Sequence, residues 1–218
     1  MVINLGKDNS IFNNFIAELR DSQIQQDSMR FRRNLERVGE IMGYEISKTL
    51  NFDEIEVTTT LGLSKIKVLK EYPVLIPILR AGVPLHKGML NIFDRSASGF
   101  ISAYRKVGKN EKFTIKIEYV SSPNLDDKIV VICDPMLATG ASIVEAYKAL
   151  KSFGKPAKIH IASVIASVEG LNYIKKQLPM QNITIWTGAI DDELTAKAYI
   201  VPGLGDAGDL AYGDKSDF

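Results

Sequence analysis

Five short and almost wholly apolar runs, separated by helical patterns, constrain this chain more than any other feature of its sequence. They occupy residues 74–78, 100–104, 129–133, 159–165 and 183–186. A strand with one wet face alternates apolar and polar residues, whereas a strand covered on both faces does not. Between the runs, residues 84–93, 142–153 and 168–178 carry apolar side chains at helical spacing. Strands that alternate with helices in this way predict an α/β fold, with a mostly parallel sheet flanked by helices.

Ahead of the first run, residues 1–50 read as helical. Ser10 is placed to cap a helix over 11–19, and Asp27 or Ser28 to cap a longer one. That second helix carries Phe31, Leu35, Val38, Met42, Ile46 and Leu50 on one stripe. One later segment breaks the strand–helix rhythm. Residues 102–107 and 112–120 flank the polar turn 108–111, and 114–119 alternate in type. This predicts a β-hairpin arm over 100–120, projecting from the sheet. No Ser/Gly/Pro-rich linker or internal repeat divides the chain, so 1–218 is expected to form a single domain.

Charge narrows the class of partner. The 27 Lys and Arg against 26 Asp and Glu leave no basic footprint of the kind a nucleic-acid or membrane-surface binder carries. No apolar run approaches the ~20 residues that span a bilayer. The first ten residues lack a basic region leading into an apolar core, and the single cysteine, Cys133, cannot form an internal disulfide. A cytoplasmic protein is expected. Without a His/Cys cluster, no dedicated protein metal site is expected either.

The chemistry concentrates after the run 129–133, which ends at Asp134, turns through small residues and enters a helix at Ser142. Ligands of parallel α/β sheets sit at the carboxyl ends of strands. The first amides of the following helix lack intrahelical partners and face the positive end of its dipole, making a phosphate cradle of 138–142. Gly140 permits close approach of the backbone, and Thr139 and Ser142 add hydroxyls. A carboxylate just before such a cradle suits a sugar diol attached to the phosphate. Spacing alone leaves open that Asp134 and Ser142 only cap the helix.

Two arginines stand at comparable places: Arg80 after the run 74–78, and Arg105 after Tyr104 at the base of the hairpin. Composition alone reads each as a surface ion-pair partner. In the C-terminal part, Gly203, Gly205 and Gly208 match a dinucleotide-binding spacing. The ten residues after Gly208 are too few for the rest of that unit. Such glycines can instead expose main-chain groups to a planar ligand.

The string Asp134-Pro-Met-Leu-Ala-Thr-Gly-Ala-Ser142 resembles the phosphoribosyl pyrophosphate (PRPP) motif of the uracil phosphoribosyltransferases, a branch of the type I phosphoribosyltransferases. Tyr199-Ile-Val-Pro-Gly-Leu-Gly-Asp-Ala-Gly-Asp209 resembles the uracil-binding segment of the same family, and Leu79-Arg80-Ala-Gly82 and Tyr104-Arg105 match its PRPP-contacting positions. The broader family carries two adjacent acids where this chain has Cys133 and Asp134, and the uracil branch keeps only the second. The hairpin interior, 106–120, departs from the family pattern.

The resemblance implies that Arg80, Arg105, Asp134, Pro135, Met136, Leu137, Ala138, Thr139, Gly140, Ala141, Ser142 and Asp206 contact PRPP. Asp134 and Arg105 would be the catalytic pair. Ile200, Gly205, Asp206 and Ala207, within 198–214, would contact uracil. It further implies Mg2+ bound mainly through PRPP, a homo-oligomer (dimer or larger), and the reaction uracil + PRPP giving UMP + pyrophosphate. A pyrimidine-responsive RNA-binding regulator on the same fold is the alternative, which the near-neutral charge disfavours; a transferase for a purine base is opposed by the C-terminal segment.

The remaining distinctive residues read as structure. His86, His160, Trp186 and Cys133 lie in apolar surroundings. Arg30, Arg32, Arg33 and Arg37 form a basic stretch on the second helix, read as a solvated or subunit-facing surface, with an effector-phosphate site as the lesser reading.

Overall fold

The computed structural model describes residues 1–107 and 113–215, except for the side chains of 105–107 and 113–114. The predicted turn 108–111 lies outside the described residues.

Each apolar run becomes a strand of the main sheet: β4 (Val74–Leu79), β5 (Phe100–Val107), β7 (Ile129–Cys133), β9 (Lys158–Ser167) and β10 (Ile183–Asp191). Together with β1 (Val2–Asn4) and β6 (Phe113–Ser121) they run in the order β1-β10-β9-β7-β4-β5-β6, and the two-residue β8 (Met136–Leu137) pairs with β9. Every neighbouring pair is parallel except β5–β6, in which Tyr104 faces Lys116 and Arg105 faces Ile115.

Two cores explain why the runs carry few polar positions. On β7, Val131 and Cys133 point to one side and Val130 and Ile132 to the other, all fully buried. The first side is covered by α1 (Ile11–Arg20), α2 (Ser28–Ser47) and α3 (Gly82–Ile92), through Phe12, Phe31, Leu35 and Met89. The second is covered by α4 (Ala141–Leu150) and α5 (Val168–Gln177), through Ile143, Val144 and Ile174. Ser10 accepts from the Phe12 amide and Asp27 from those of Met29 and Arg30, so both expected caps open their helices.

Two elements depart from the sequence reading. Residues 1–50 are not all helical: β1 adds to the sheet edge with Val2 against Ile185, and three residues are too few for a periodicity to reveal. The stretch between α2 and β4 forms a second antiparallel hairpin, β2 (Phe52–Thr59) with β3 (Gly62–Leu69), which stands apart from the main sheet. Ile55, Val57, Ile66 and Val68 share one of its faces, and the first three are exposed.

The chain closes with a short pair, β11 (Glu193–Leu194) and β12 (Ile200–Val201), and the last helix α6 (Ala207–Tyr212). Leu204, Ala207 and Ala211 are buried in the same core as α1 and α2. The C-terminal segment is therefore bound to the N-terminal helices. No helix is long and apolar enough to cross a membrane.

Candidate active site

At the carboxyl ends of β4 and β7 the chain leaves the sheet through two loops, and between them, the hairpin β5–β6 and the C-terminal segment lies an open cleft of about 1240 Å³. Arg80, Tyr104, Asp134, Ser142, Asp206 and Lys215 all line it. These residues come from four separate stretches of sequence; strand order brings the first three together, and packing of the C-terminal segment on the N-terminal helices adds the fourth.

The loop after β7 is fixed from behind. The Asp134 amide donates to the Ala162 carbonyl (3.1 Å), and the Pro135 carbonyl accepts from both Val164 (3.0 Å) and Ile165 (3.1 Å). Ser167 donates its hydroxyl to the Ala138 carbonyl at 2.5 Å. Gly140 then turns into α4 at φ +76°, a conformation that side chains resist. A Cβ there would also lie 2.8 Å from the Gly170 carbonyl of α5. The Thr139 hydroxyl accepts from the Ala141 amide at 3.3 Å. The first turn of α4 thus opens at the cleft wall, its dipole directed to an anion.

Asp134 accepts from the Met136 amide at 3.3 Å, which orients its carboxylate along the loop. Burial pushes the neighbouring Cys133 thiol up, and the Asp134 charge adds to the effect, so Cys133 is an inert core thiol. Pro135 and Leu137 are buried, and the Pro135 carbonyl is turned to β9 rather than to the cleft.

Arg80, at the end of β4 and after a cis Leu79–Arg80 peptide, reaches Asp209 of α6 (3.0 Å) and the Gly213 carbonyl (3.1 Å). Lys215 pairs with Asp206 (3.2 Å) and Asp209 (3.6 Å). Asp206 caps α6 by accepting from the amides of Gly208 (2.9 Å) and Asp209 (3.0 Å). Burial pushes the Asp206 carboxyl up, but those amides and the Lys215 ammonium outweigh it and hold it below its ordinary value.

Gly205, Asp206 and Ala207 line the cleft together, as do Met136 and Ala138, while Thr139 and Gly140 line the adjoining phosphate-loop notch. Pro135 and Ala141 line neither, and nor does Ile200. Its side chain is only 3% exposed and packs into the core, so only its main chain can meet a ligand. Arg105 stands on β5, and its side chain lies outside the described residues. Sequence reasoning missed Asp209, whose partner Arg80 is more than a hundred residues away and carries no spacing signal, and Lys215, which pairs with Asp206 and Asp209.

The basic stretch on α2 does not converge on a common point. Arg30 pairs with Glu18 (2.6 Å), Arg32 donates to the Ala211 carbonyl (2.6 Å), Arg33 pairs with Glu36 (2.8 Å), and Arg37 donates to Asn34 (3.1 Å).

A parallel sheet with a phosphate-turning loop, a carboxylate at its strand end and a cationic second loop defines a type I phosphoribosyltransferase. A solved hypoxanthine phosphoribosyltransferase from Staphylococcus aureus shares the fold, with a TM-score of 0.51 at 15% identity over 85% of this chain and 83% of that one. The family model for uracil phosphoribosyltransferase matches residues 7–214. A uracil phosphoribosyltransferase of Porphyromonas gingivalis is 53% identical over 98% of this chain and 99% of its own length. One from Thermococcus gammatolerans is 38% identical over 95% and 91%. The solved AQ2163 protein from Aquifex aeolicus superposes with a TM-score of 0.86 at 33% identity, covering 98% of both chains. This chain belongs to the uracil phosphoribosyltransferase family.

Proposed function

We propose that the protein transfers the phosphoribosyl group of PRPP to N1 of uracil, giving UMP and pyrophosphate. The observation that carries this is the meeting, in one cleft, of the loop from Asp134 to Ser142, the Arg80 guanidinium and the main chain of Gly205–Ala207. The 5′-phosphate takes the first turn of α4, and Asp134 accepts from the ribose hydroxyls. Arg80, with Arg105 from the hairpin, stabilises the negative charge that builds on pyrophosphate as its bond to C1 breaks and the N1–C1 bond forms, with the N1 proton passing to solvent or to the departing pyrophosphate. Uracil offers an acceptor–donor–acceptor edge to the peptides of 205–207. Ile200 contributes through its main chain.

Mg2+ fits this donor set. Among the described residues no three His, Cys, Asp or Glu cluster as a metal cage, whereas Asp134, Asp206 and Asp214 reach the cleft as separate carboxylates. A hard ion held mostly by pyrophosphate oxygens and water suits such a site, where it would neutralise the departing charge.

The protein acts as a homo-oligomer in the cytoplasm. Support for assembly comes from β2–β3: a two-stranded hairpin is marginal alone in water, and its Ile55–Ile66 face is exposed. A second copy would cover it. Sedimentation should give a dimer or larger, and Ile66→Glu should dissociate it; a monomeric wild type removes this part of the reading.

The deciding experiment is pyrophosphate release with PRPP and magnesium, supplied separately with uracil, orotate, adenine, guanine or hypoxanthine. Turnover with uracil alone is expected. Turnover with a purine instead, or none with any base, overturns the proposal.

A further inference from the structure

The segment read as base-binding is held by a clamp made of one partly buried ion pair. Asp191 ends β10 and is 8% exposed. Arg20, the last residue of α1, grips its carboxylate with both terminal nitrogens, Nη1 to Oδ2 and Nη2 to Oδ1, each at 2.8 Å. The same two groups also hold both sides of Gly203. Arg20 Nη1 donates to the Gly203 carbonyl at 3.0 Å, and Asp191 Oδ2 accepts from the Gly203 amide at 3.0 Å. Gly203 itself sits at φ +60°, where a Cβ would lie 2.0 Å from the Ile200 carbonyl. The site therefore excludes any side chain and leaves the backbone to be fixed from outside. One residue further on, Gln25 stands beside the Leu204 carbonyl, and with its side-chain amide turned over its nitrogen would donate there at 2.8 Å and to the Leu19 carbonyl at 3.1 Å.

We infer that Arg20 and Asp191 are positioning residues for base recognition, acting through Gly203 on the peptides of 205–207. This rests on the reading of 205–207 as the uracil reader. A ligand edge read by main-chain groups demands that those groups be aimed before the ligand arrives, since a loop that must be ordered on binding loses affinity. Here the loop's neighbours in sequence cannot supply that order: β11 and β12 have two residues each, and α6 has only six. A fork-shaped guanidinium on a carboxylate gives two parallel charge-assisted bonds at fixed angles, which a lysine cannot reproduce. Neither residue lines the cleft, so neither touches substrate.

The test is steady-state kinetics of the full chain carrying Asp191→Asn, Arg20→Lys or Arg20→Ala, with uracil and PRPP varied in turn. The pair bears on the base only, so KM for uracil should rise about tenfold or more in Arg20→Ala and Asp191→Asn. KM for PRPP should stay within about twofold. Arg20→Lys keeps the charge and one donor, and should fall between wild type and Arg20→Ala. Should Arg20→Ala not fold, the Arg20→Lys and Asp191→Asn values decide. Uracil KM within about twofold of wild type in folded variants overturns the inference. So does an equal rise in both KM values, since that is what general loosening would give. A wild type that ignores uracil instead removes the reading beneath it.

Discussion

Arg80→Ala separates substrate binding from folding, because the same guanidinium can be valued in each role. In the free protein its side chain is 41% exposed and pairs with Asp209 at 3.0 Å. Exposed pairs of this kind contribute at most about 1 kcal/mol. For a chain of this size that is a fall in melting temperature of about 4 °C or less. Against pyrophosphate, on the proposed reading, the same group would make a charge-assisted bond worth about 1.5–3 kcal/mol. At 1.4 kcal/mol per factor of ten, kcat/KM for PRPP should fall by roughly 10- to 150-fold. Arg80→Lys keeps the charge without the fork and should lose less. The assay is pyrophosphate release at saturating uracil with PRPP varied, beside a thermal melt of each variant. A kcat/KM within about twofold of wild type shows that Arg80 does not touch PRPP. A melting point lowered well beyond 4 °C shows instead that its tie to Asp209 and Gly213 is structural.

Three further outcomes are expected. Asp134→Asn keeps an acceptor for the Met136 amide but loses the charge offered to the ribose diol, so kcat/KM for PRPP should drop about 10- to 100-fold with the melting point little changed; full activity refutes the assignment. Gly140→Ala puts a Cβ at φ +76° and 2.8 Å from the Gly170 carbonyl, and should destabilise by at least about 1–2 kcal/mol in urea unfolding while weakening PRPP binding. Burial lowers both His86 and His160 from 6.5 to about 4. Each is held neutral in the fold, so their stability is fully present above pH 6.5 and is lost as pH falls towards 4. At 1.36 kcal/mol per pH unit this reaches roughly 3 kcal/mol for each histidine. Urea melts between pH 7 and 4.5 read the loss, and His160→Gln should remove about half of it, leaving the part due to His86.

Legibility followed the range of the forces involved. The five runs, the three helices between them and the caps Ser10 and Asp27 depend on near neighbours, and the sequence carries them plainly. The hairpin β2–β3 escaped because it contains no wholly apolar run: its strands alternate, with Glu54, Glu56, Lys65 and Lys67 on one face and Ile55, Val57 and Ile66 on the other, and both faces are open to solvent. Periodicity there reports no core. The phosphate loop was legible because its donors are consecutive residues at one helix end. Arg80, by contrast, reads from composition as a surface ion-pair partner, and Asp209 does supply one, while only the position at the end of β4 turns it towards the cleft.

The same distinction explains where specificity resides. On the proposed reading, sugar and phosphate would be met by loops that the sheet itself aims, with Pro135 and Ala138 carbonyls bonded directly to β9 residues. The base would be met by a segment outside the sheet, whose order comes from α1 and α2: Arg20 on Gly203, and Arg32 on the Ala211 carbonyl. A change in the sheet loops should therefore act on PRPP whatever the base. A change in the N-terminal helices, far from the cleft in sequence, should act on the base alone. Arg32 offers an independent check of that division, since it holds the far end of α6 rather than Gly203. Arg32→Ala should weaken uracil less than Arg20→Ala does, because Asp206 still caps α6 at the end nearest the base. An Arg32→Ala variant that instead lost PRPP affinity and kept uracil affinity would show that α6 serves the pyrophosphate side, through Asp209 and Arg80, before it serves the base.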